Sequence, residues 1–261
     1  MPFNVGGQLW SGTAASVHDY RSIITRGLVM NLDASAPGSY PGSGTTWSDL
    51  SGNGNGGTLE VATMGTVSAS LQTIAFKGTG SAQNDTEYVT LPLADLKDYT
   101  QGSLEFFYKI NSTGYTAPYL MTMSNGGGPG AESVWAVGVD AGNYRFVYKN
   151  SGSSVVVLYG NPTPSIAVGK HYHVVFTSDT STNNIYHDGV RQAITVSAGS
   201  NNGTWFDDAP SPTTMEIGHY RRTYTSHGLE GEIPICRIYN RALSLPEIKH
   251  NFNVQRHRFG I

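Results

Sequence analysis

Charge and cysteine are both scarce in this chain. Asp, Glu, Lys and Arg together make up 13% of its 261 residues, and the formal net charge is −3. Such a balance sets up no field that would draw nucleic acid or an anionic membrane, so neither is expected as a partner. The single cysteine, Cys236, excludes an intrachain disulfide. It lies in a strand-like segment, where a small buried apolar side chain is expected rather than a reactive thiol. No apolar run reaches the ~18 residues of a membrane-crossing helix, so no membrane insertion is expected. The first residues, MPFNVGGQLWSG, have neither a basic start nor an apolar stretch, and no secretory signal is expected there. G-x-S-x-G is absent, which removes the serine-hydrolase elbow.

Glycine and tyrosine are plentiful, at 32 and 15 residues. With abundant Ser, Thr and Asn, this is the composition of many short strands joined by tight turns. Strand signals recur at Leu28–Ala34, Thr73–Lys77, Tyr88–Leu91, Ser103–Ile110, Tyr119–Met123, Val134–Val139, Tyr144–Lys149, Val155–Tyr159, His171–Ser178 and Thr213–Gly218. Asp188-Gly189 reads as a two-residue hairpin turn of type I′. The last strand, Glu232–Tyr239, is expected to place Ile233, Ile235, Arg237 and Tyr239 on one face. Ser244 with Glu247 forms a capping box, and Leu245, Ile248 and Phe252 follow at helical spacing. The expected fold is all-β: a two-sheet antiparallel sandwich with one short C-terminal helix. Residues 27–261 carry no internal linker. Residues 1–26 read instead as an N-terminal docking arm anchored by Phe3, Val5, Leu9 and Trp10, because a solvated leader rarely carries such residues.

Several residue groups carry candidate chemistry. Gly52, Gly54 and Gly57 fit G-x-G-x-x-G, but a strand-like TLEV follows them where a dinucleotide site needs a helix. They are expected to supply turns. Glu230 and Glu232 share a strand face, about 6.7 Å apart by strand rise, against the ~5–5.5 Å of a retaining glycosidase pair. Glu105 and Glu216 read as isolated strand acids. His171-x-His173 offers two imidazoles on one face without an evident third ligand. Asp33, Asp49, Asn53 and Asn55 are oxygen-bearing residues near one loop, without a calcium-ligand register. Trp205, Phe206, Asp207 and Asp208 lie in a long loop, with Tyr220 and Tyr224 in the next. Aromatics beside carboxylates suit a sugar. The same residues suit a subunit contact, or a loop folded back to cap the core.

Three motifs together carry a family resemblance. They are Leu32-Asp33-Ala34 with Trp47-x-Asp49-Leu50-Ser51-Gly52-Asn53-Gly54-Asn55; Ile185-Tyr186-His187-Asp188-Gly189; and Gly231-x-Ile233 with Arg237-Ile238-Tyr239-Asn240-Arg241-Ala242-Leu243-Ser244 and Glu247-Ile248. Over about residues 27–261 the chain resembles the concanavalin A-like, laminin-G-like jelly-roll sandwiches. The ending NFNVQRHRFGI resembles members found in tailed bacteriophages. The resemblance implies a non-enzymatic virion structural protein, a capsid-decoration or tail-appendage subunit on the exposed particle surface. Its partners would be other virion proteins, further copies in a symmetric homo-oligomer, and host-surface glycans. The alternative is an extracellular carbohydrate-binding module of a secreted or cell-surface protein. A glycosidase of the same fold is a third reading. The glucanase branch of the fold carries an acid between its two glutamates, where this chain has Gly231. No cofactor is required by these readings; a structural calcium ion is one the family often holds.

Overall fold

A computed structural model describes residues 23–61, 64–67, 71–78, 87–112, 118–127, 131–220 and 227–261. Two antiparallel sheets stack face to face, as expected. The eight-stranded sheet runs, in spatial order, β14 (Val190–Arg191), β13 (Asn183–His187), β12 (His171–Ser178), β7 (Gly102–Ile110), β19 (Glu230–Tyr239), β5 (Gln72–Lys77) and β4 (Gly65–Val67), with β1 (Leu28–Asp33) also paired to β19. The nine-stranded sheet runs β15 (Ile194–Ala198), β11 (Ser153–Gly160), β10 (Asn143–Asn150), β9 (Val134–Asp140), β8 (Tyr119–Ser124), β16 (Thr214–Ile217), β6 (Val89–Thr90), β3 (Gly57–Leu59) and β2 (Thr46–Trp47). A small ribbon pairs β17 (His219–Tyr220) with β18 (His227–Gly228). A four-residue helix, α1 (Leu93–Leu96), joins the expected C-terminal helix, α2 (Leu245–Gln255).

Alternation sets which side chains meet between the sheets. In β7, Leu104, Phe106, Tyr108 and Ile110 enter the main core; in β10, Tyr144 and Phe146 do so from the other side. The Tyr108 and Tyr144 hydroxyls meet across it at 3.2 Å. In β19 the alternation breaks: the register with β7 shifts between Glu232 and Ile235, around Pro234. Ile233, Cys236 and Ile238 therefore face the core, while Ile235 and Tyr239 join clusters on the opposite face. The expected common face of Ile233 with Ile235 fails because a bulge at a proline adds one residue to the strand. Cys236 is buried, and burial pushes its thiol well above the usual range.

Helix α2 starts as the capping box requires. Ser244 N–H donates to Glu247 Oε2 at 2.9 Å, and Arg241 grips both Glu247 oxygens at 2.9 and 2.8 Å. Its buried stripe is Ile248, Asn251 and Gln255, so the helix packs polar side chains onto the sheet; Leu245 is 37% exposed. Residues 23–26, assigned above to the arm, contact this region. Ile24 N–H donates to Asn251 Oδ1 at 2.9 Å, and the Arg26 carbonyl accepts from Arg241 Nε at 2.9 Å. Phe3, Val5, Leu9 and Trp10 lie outside the described residues.

Candidate functional site

The residues singled out from the sequence separate into three places. Trp205 and Phe206 are in the core. Both set their rings edge-on to Trp135, at 5.2 and 4.7 Å between centroids. A one-turn 3-10 helix at Phe206–Asp208 turns them inward, and Asp208 accepts the Trp205 N–H at 2.9 Å. Gly102 makes the room: a Cβ there would lie 2.6 Å from Trp205 Nε1. Of the three readings of these two rings, sugar contact and subunit contact are corrected, since neither ring presents a face to solvent; the loop folds back to cap the core. Asp207 and Asp208 stay exposed; partial burial and then Asp208 raise the Asp207 carboxyl above its usual range. Tyr220 is buried, edge-on to Tyr119 at 5.1 Å. Tyr224 lies outside the described residues.

The acids and histidines form the second place, the outer face of the eight-stranded sheet. Glu230 and Glu232 line a cleft of about 460 Å³ with Phe76, Lys77, Gly78 and Asn111. Glu232 is held there as an ion. His171 at 3.8 Å and Lys109 at 2.5 Å keep its carboxyl below the usual range. A general acid for glycoside cleavage needs the opposite shift. His173 does not converge with His171. Its Nε2–H donates to Glu105 Oε1 at 2.8 Å, with both side chains wholly buried. Glu105 is therefore not an isolated acid. Burial alone would raise its carboxyl, but Arg237 and His173 outweigh that and hold it low. Glu216 is paired likewise, accepting from His219 Nδ1 at 2.7 Å on the other sheet. Among the described residues no group of three or more His, Cys, Asp or Glu could hold a metal ion.

The loop at Asp49 closes on itself. Asp49 Oδ1 accepts the N–H groups of Asn31 and Ser51, both at 2.8 Å, while Oδ2 accepts Asn55 N–H at 3.0 Å and Ser51 Oγ–H at 2.7 Å. Asn53 and Asn55 donate to backbone carbonyls of β1. Gly52 and Gly54 take positive φ, +86° and +81°, which is the turn role expected of them, whereas Gly57 opens strand β3, where a Cβ would lie 2.6 Å from Val89 Cγ1. A calcium ion in this loop would first have to displace those donors.

The third place was not singled out from the sequence: the outer face of the nine-stranded sheet. Register aligns Thr195, Tyr159, Arg145, Gly138 and Tyr119 across five neighbouring strands. Tyr159 Oη–H donates to Asp140 Oδ2 at 3.0 Å, and Arg145 Nη1 stands 3.8 Å from that same oxygen. Burial, with the Asp140 hydrogen bond added, keeps the Tyr159 phenol above its usual range and protonated. Arg145 Nε is buried without a hydrogen-bond partner. The Arg145 and Asp140 side chains remain 21% and 32% exposed. At the rim, Asn161 Nδ2 donates to Thr195 Oγ1 at 3.0 Å. A cation with an unused donor, a carboxylate, an amide, a hydroxyl and a phenol ring thus share one face, beside a buried cluster of Tyr119, Val134, Ala136, Val147, Val157 and Tyr220. One signal pointed there: Arg145 and Lys149 are the charged residues on the side of β10 opposite Tyr144, Phe146 and Tyr148.

Comparison with protein families agrees with this fold. Residues 82–249, more than half of the chain, match the model described as the concanavalin A-like lectin/glucanases superfamily. The chain belongs to that superfamily. No curated protein matches it. Among solved structures, a sialidase of Trypanosoma rangeli in complex with a difluoro-KDN ligand matches with a TM-score of 0.60 and 20% identity, covering 89% of this chain and 33% of the sialidase. The chain thus spans about a third of the sialidase's length. The CBM40 domain of a Ruminococcus gnavus IT-sialidase, bound to α2,3-sialyllactose, matches with a TM-score of 0.54 and 16% identity, over 68% of this chain and 94% of that one. The same domain bound to α2,6-sialyllactose gives 0.54 and 16%, over 70% and 95%. At these identities the likeness is one of fold.

Proposed function

We propose that this chain is a non-catalytic carbohydrate-binding domain that takes acidic glycans on the outer face of its nine-stranded sheet. The carrying observation is Arg145, half-buried beside Asp140 and Tyr159, with Nε unsatisfied. The part of the Arg145 guanidinium that stays exposed can take a ligand carboxylate in a charge-assisted hydrogen bond. The Tyr159 ring offers an apolar surface to a sugar, and Asp140 and Asn161 offer acceptors to its hydroxyls. The neighbouring CBM40 domains were solved with sialyllactose, a glycan with such a carboxylate, which supports this choice of ligand. Against hydrolysis stand the ionised Glu232 and the absence of a third acid at Gly231.

The setting we propose is a secreted or cell-surface protein, which the likeness to carbohydrate-binding domains supports more directly than a virion. A virion surface, with residues 1–26 docking on capsid or tail, rests on the C-terminal resemblance and would use the same face. Titration calorimetry with α2,3-sialyllactose, α2,6-sialyllactose and lactose tests the reading. Binding of the sialylated sugars over lactose, lost in Arg145→Ala, is expected. Equal binding of all three by both proteins, or none by the wild type, overturns it.

A further inference from the structure

Four asparagines precede a glycine: Asn53-Gly54, Asn55-Gly56, Asn125-Gly126 and Asn202-Gly203. In such a pair the glycine nitrogen, with no Cβ beside it, can attack the asparagine Cγ and expel ammonia. The fold guards three of the four. The Asn53 amide nitrogen, which would have to leave, donates to the Leu28 carbonyl at 3.2 Å and to Ser51 Oγ at 2.9 Å. Asn55 is buried, and its amide nitrogen donates to the Val29 carbonyl at 2.8 Å. At Asn125 the nucleophile is held: Gly126 N–H donates to Ser124 Oγ at 3.0 Å. Asn202 differs at each point. It is exposed, and among the described residues neither its Nδ2 nor the Gly203 N–H makes a hydrogen bond. Its Oδ1 accepts from Thr204 Oγ–H at 2.7 Å and from Thr204 N–H at 3.3 Å. That oxygen gathers negative charge when the glycine nitrogen adds to Cγ, so both donors favour the addition. Packing also keeps the glycine. Gly203 has φ +80°, and a Cβ there would lie 2.4 Å from the Thr180 carbonyl carbon, so no bulkier residue can shield the pair.

We propose that Asn202 is a self-modification site, which deamidates through a cyclic imide formed with Gly203. Solvent base takes the proton of the Gly203 nitrogen, and that nitrogen bonds to Asn202 Cγ. The Cγ–Nδ2 bond then breaks, and Nδ2 takes a proton from solvent and leaves as ammonia. Water opens the imide at one of its two carbonyls, giving aspartate or isoaspartate. The balance is one water in and one ammonia out, with no oxidation. Either product adds a negative charge, and isoaspartate also adds a carbon to the main chain. The change falls where the loop is pinned ahead of Trp205. Ser178 Oγ–H donates to the Gly203 carbonyl at 2.5 Å, Asn183 Nδ2 donates to the Thr204 carbonyl at 2.9 Å, and Asn201 Oδ1 accepts the Asn183 N–H at 2.6 Å. The inward seat of Trp205 therefore depends on a loop of limited chemical lifetime.

Peptide mass mapping of the full chain, incubated folded at mildly alkaline pH, tests the assignment. The peptide with Asn202 should gain about one mass unit at least about tenfold faster than those with Asn53, Asn55 and Asn125. In urea, where the fold guards none of them, the four should convert at similar rates. Isoaspartate-specific methylation should label the aged protein at Asn202, and its melting temperature should fall as the label rises. Thr204→Val removes the hydroxyl donor and keeps the N–H, and should slow the conversion several-fold. If that variant does not fold, the order of the four sites in the wild type decides alone. Another Asn-Gly pair leading in the folded protein, no gain at Asn202 while the unfolded chain converts, or a folded Thr204→Val protein converting as fast as the wild type overturns the proposal.

Discussion

The two outer faces of this sandwich are built from similar side chains and do opposite things with them. On the eight-stranded sheet, Arg237 stands between two carboxylates, 3.5 Å from Glu105 and 3.6 Å from Asp33, and its Nε donates to Asn31 Oδ1 at 2.9 Å. Arg258 closes on Asp33 through two bonds of 2.7 Å and also donates to Gln255. Helix α2 and the tail then seal the face. Asn251 donates to Glu105 and to the Tyr239 hydroxyl, both at 3.0 Å, Phe252 stacks on His173, and Phe259 on Phe107. On the nine-stranded sheet, Arg145 has one carboxylate at 3.8 Å, an Nε without a hydrogen bond and a side chain 21% exposed. Both arginines keep one nitrogen without a hydrogen bond, Nη1 of Arg237 and Nε of Arg145, so it is exposure that separates them: 1% for the Arg237 side chain against 21% for Arg145. The buried one holds the fold together, and the partly exposed one is available to a ligand.

Breaking the sealed face should have the largest effect. Arg237→Ala leaves Glu105 and Asp33 buried with one cation fewer, and is expected to cost about 3–5 kcal/mol in urea unfolding. A loss below about 1 kcal/mol would mean that water reaches the network. The corresponding cut on the nine-stranded sheet should hardly touch stability: Arg145→Ala is expected to shift it by under about 1 kcal/mol. It should instead weaken sialyllactose binding at least tenfold, about 1.4 kcal/mol.

How far each face was legible follows from the same contrast. Asp33, Asp49, Arg237 and the Ser244–Glu247 box belong to the motifs that carried the family resemblance, and each proves to build the fold. The box is local, so spacing alone revealed it. The sandwich, the Asp188-Gly189 hairpin and the closing strand were equally readable from alternation and turn residues. The grouping around Arg145 was not. Tyr159 lies beside Arg145 only through the β10–β11 register, which slips at Tyr148/Lys149. The inward turn of Trp205 depends on a vacancy at Gly102, far away in the sequence. Composition left the Trp205-Phe206 loop open between a contact site and a core cap, and packing made it core.

Two smaller effects sharpen the comparison. Arg241 and Ser244 hold the Glu247 carboxyl at about 2, against an ordinary 4.5. A carboxyl depressed by folding adds stability that is complete above its unfolded value and is lost as pH falls from about 4.5 towards 2. Glu247→Gln should therefore cost about 1 kcal/mol at neutral pH. Thermal melts should show that difference shrinking across the acid window, and a pH-independent difference would remove the ion pair from the account. Tyr159→Phe keeps the ring and loses only the bond to Asp140. It is expected to weaken glycan binding about two- to threefold and leave the melting temperature nearly unchanged.

The central claim is that the ligand binds around the partly exposed Arg145 and Asp140. It is tested most directly by amide chemical-shift mapping as sialyllactose is titrated into the labelled protein. The account predicts perturbations centred on Asp140, Arg145, Tyr159, Asn161 and Thr195, with the residues around Glu105 and Arg237 silent. Perturbations centred on the Glu230–Glu232 cleft instead, or none at saturating sugar, would contradict it.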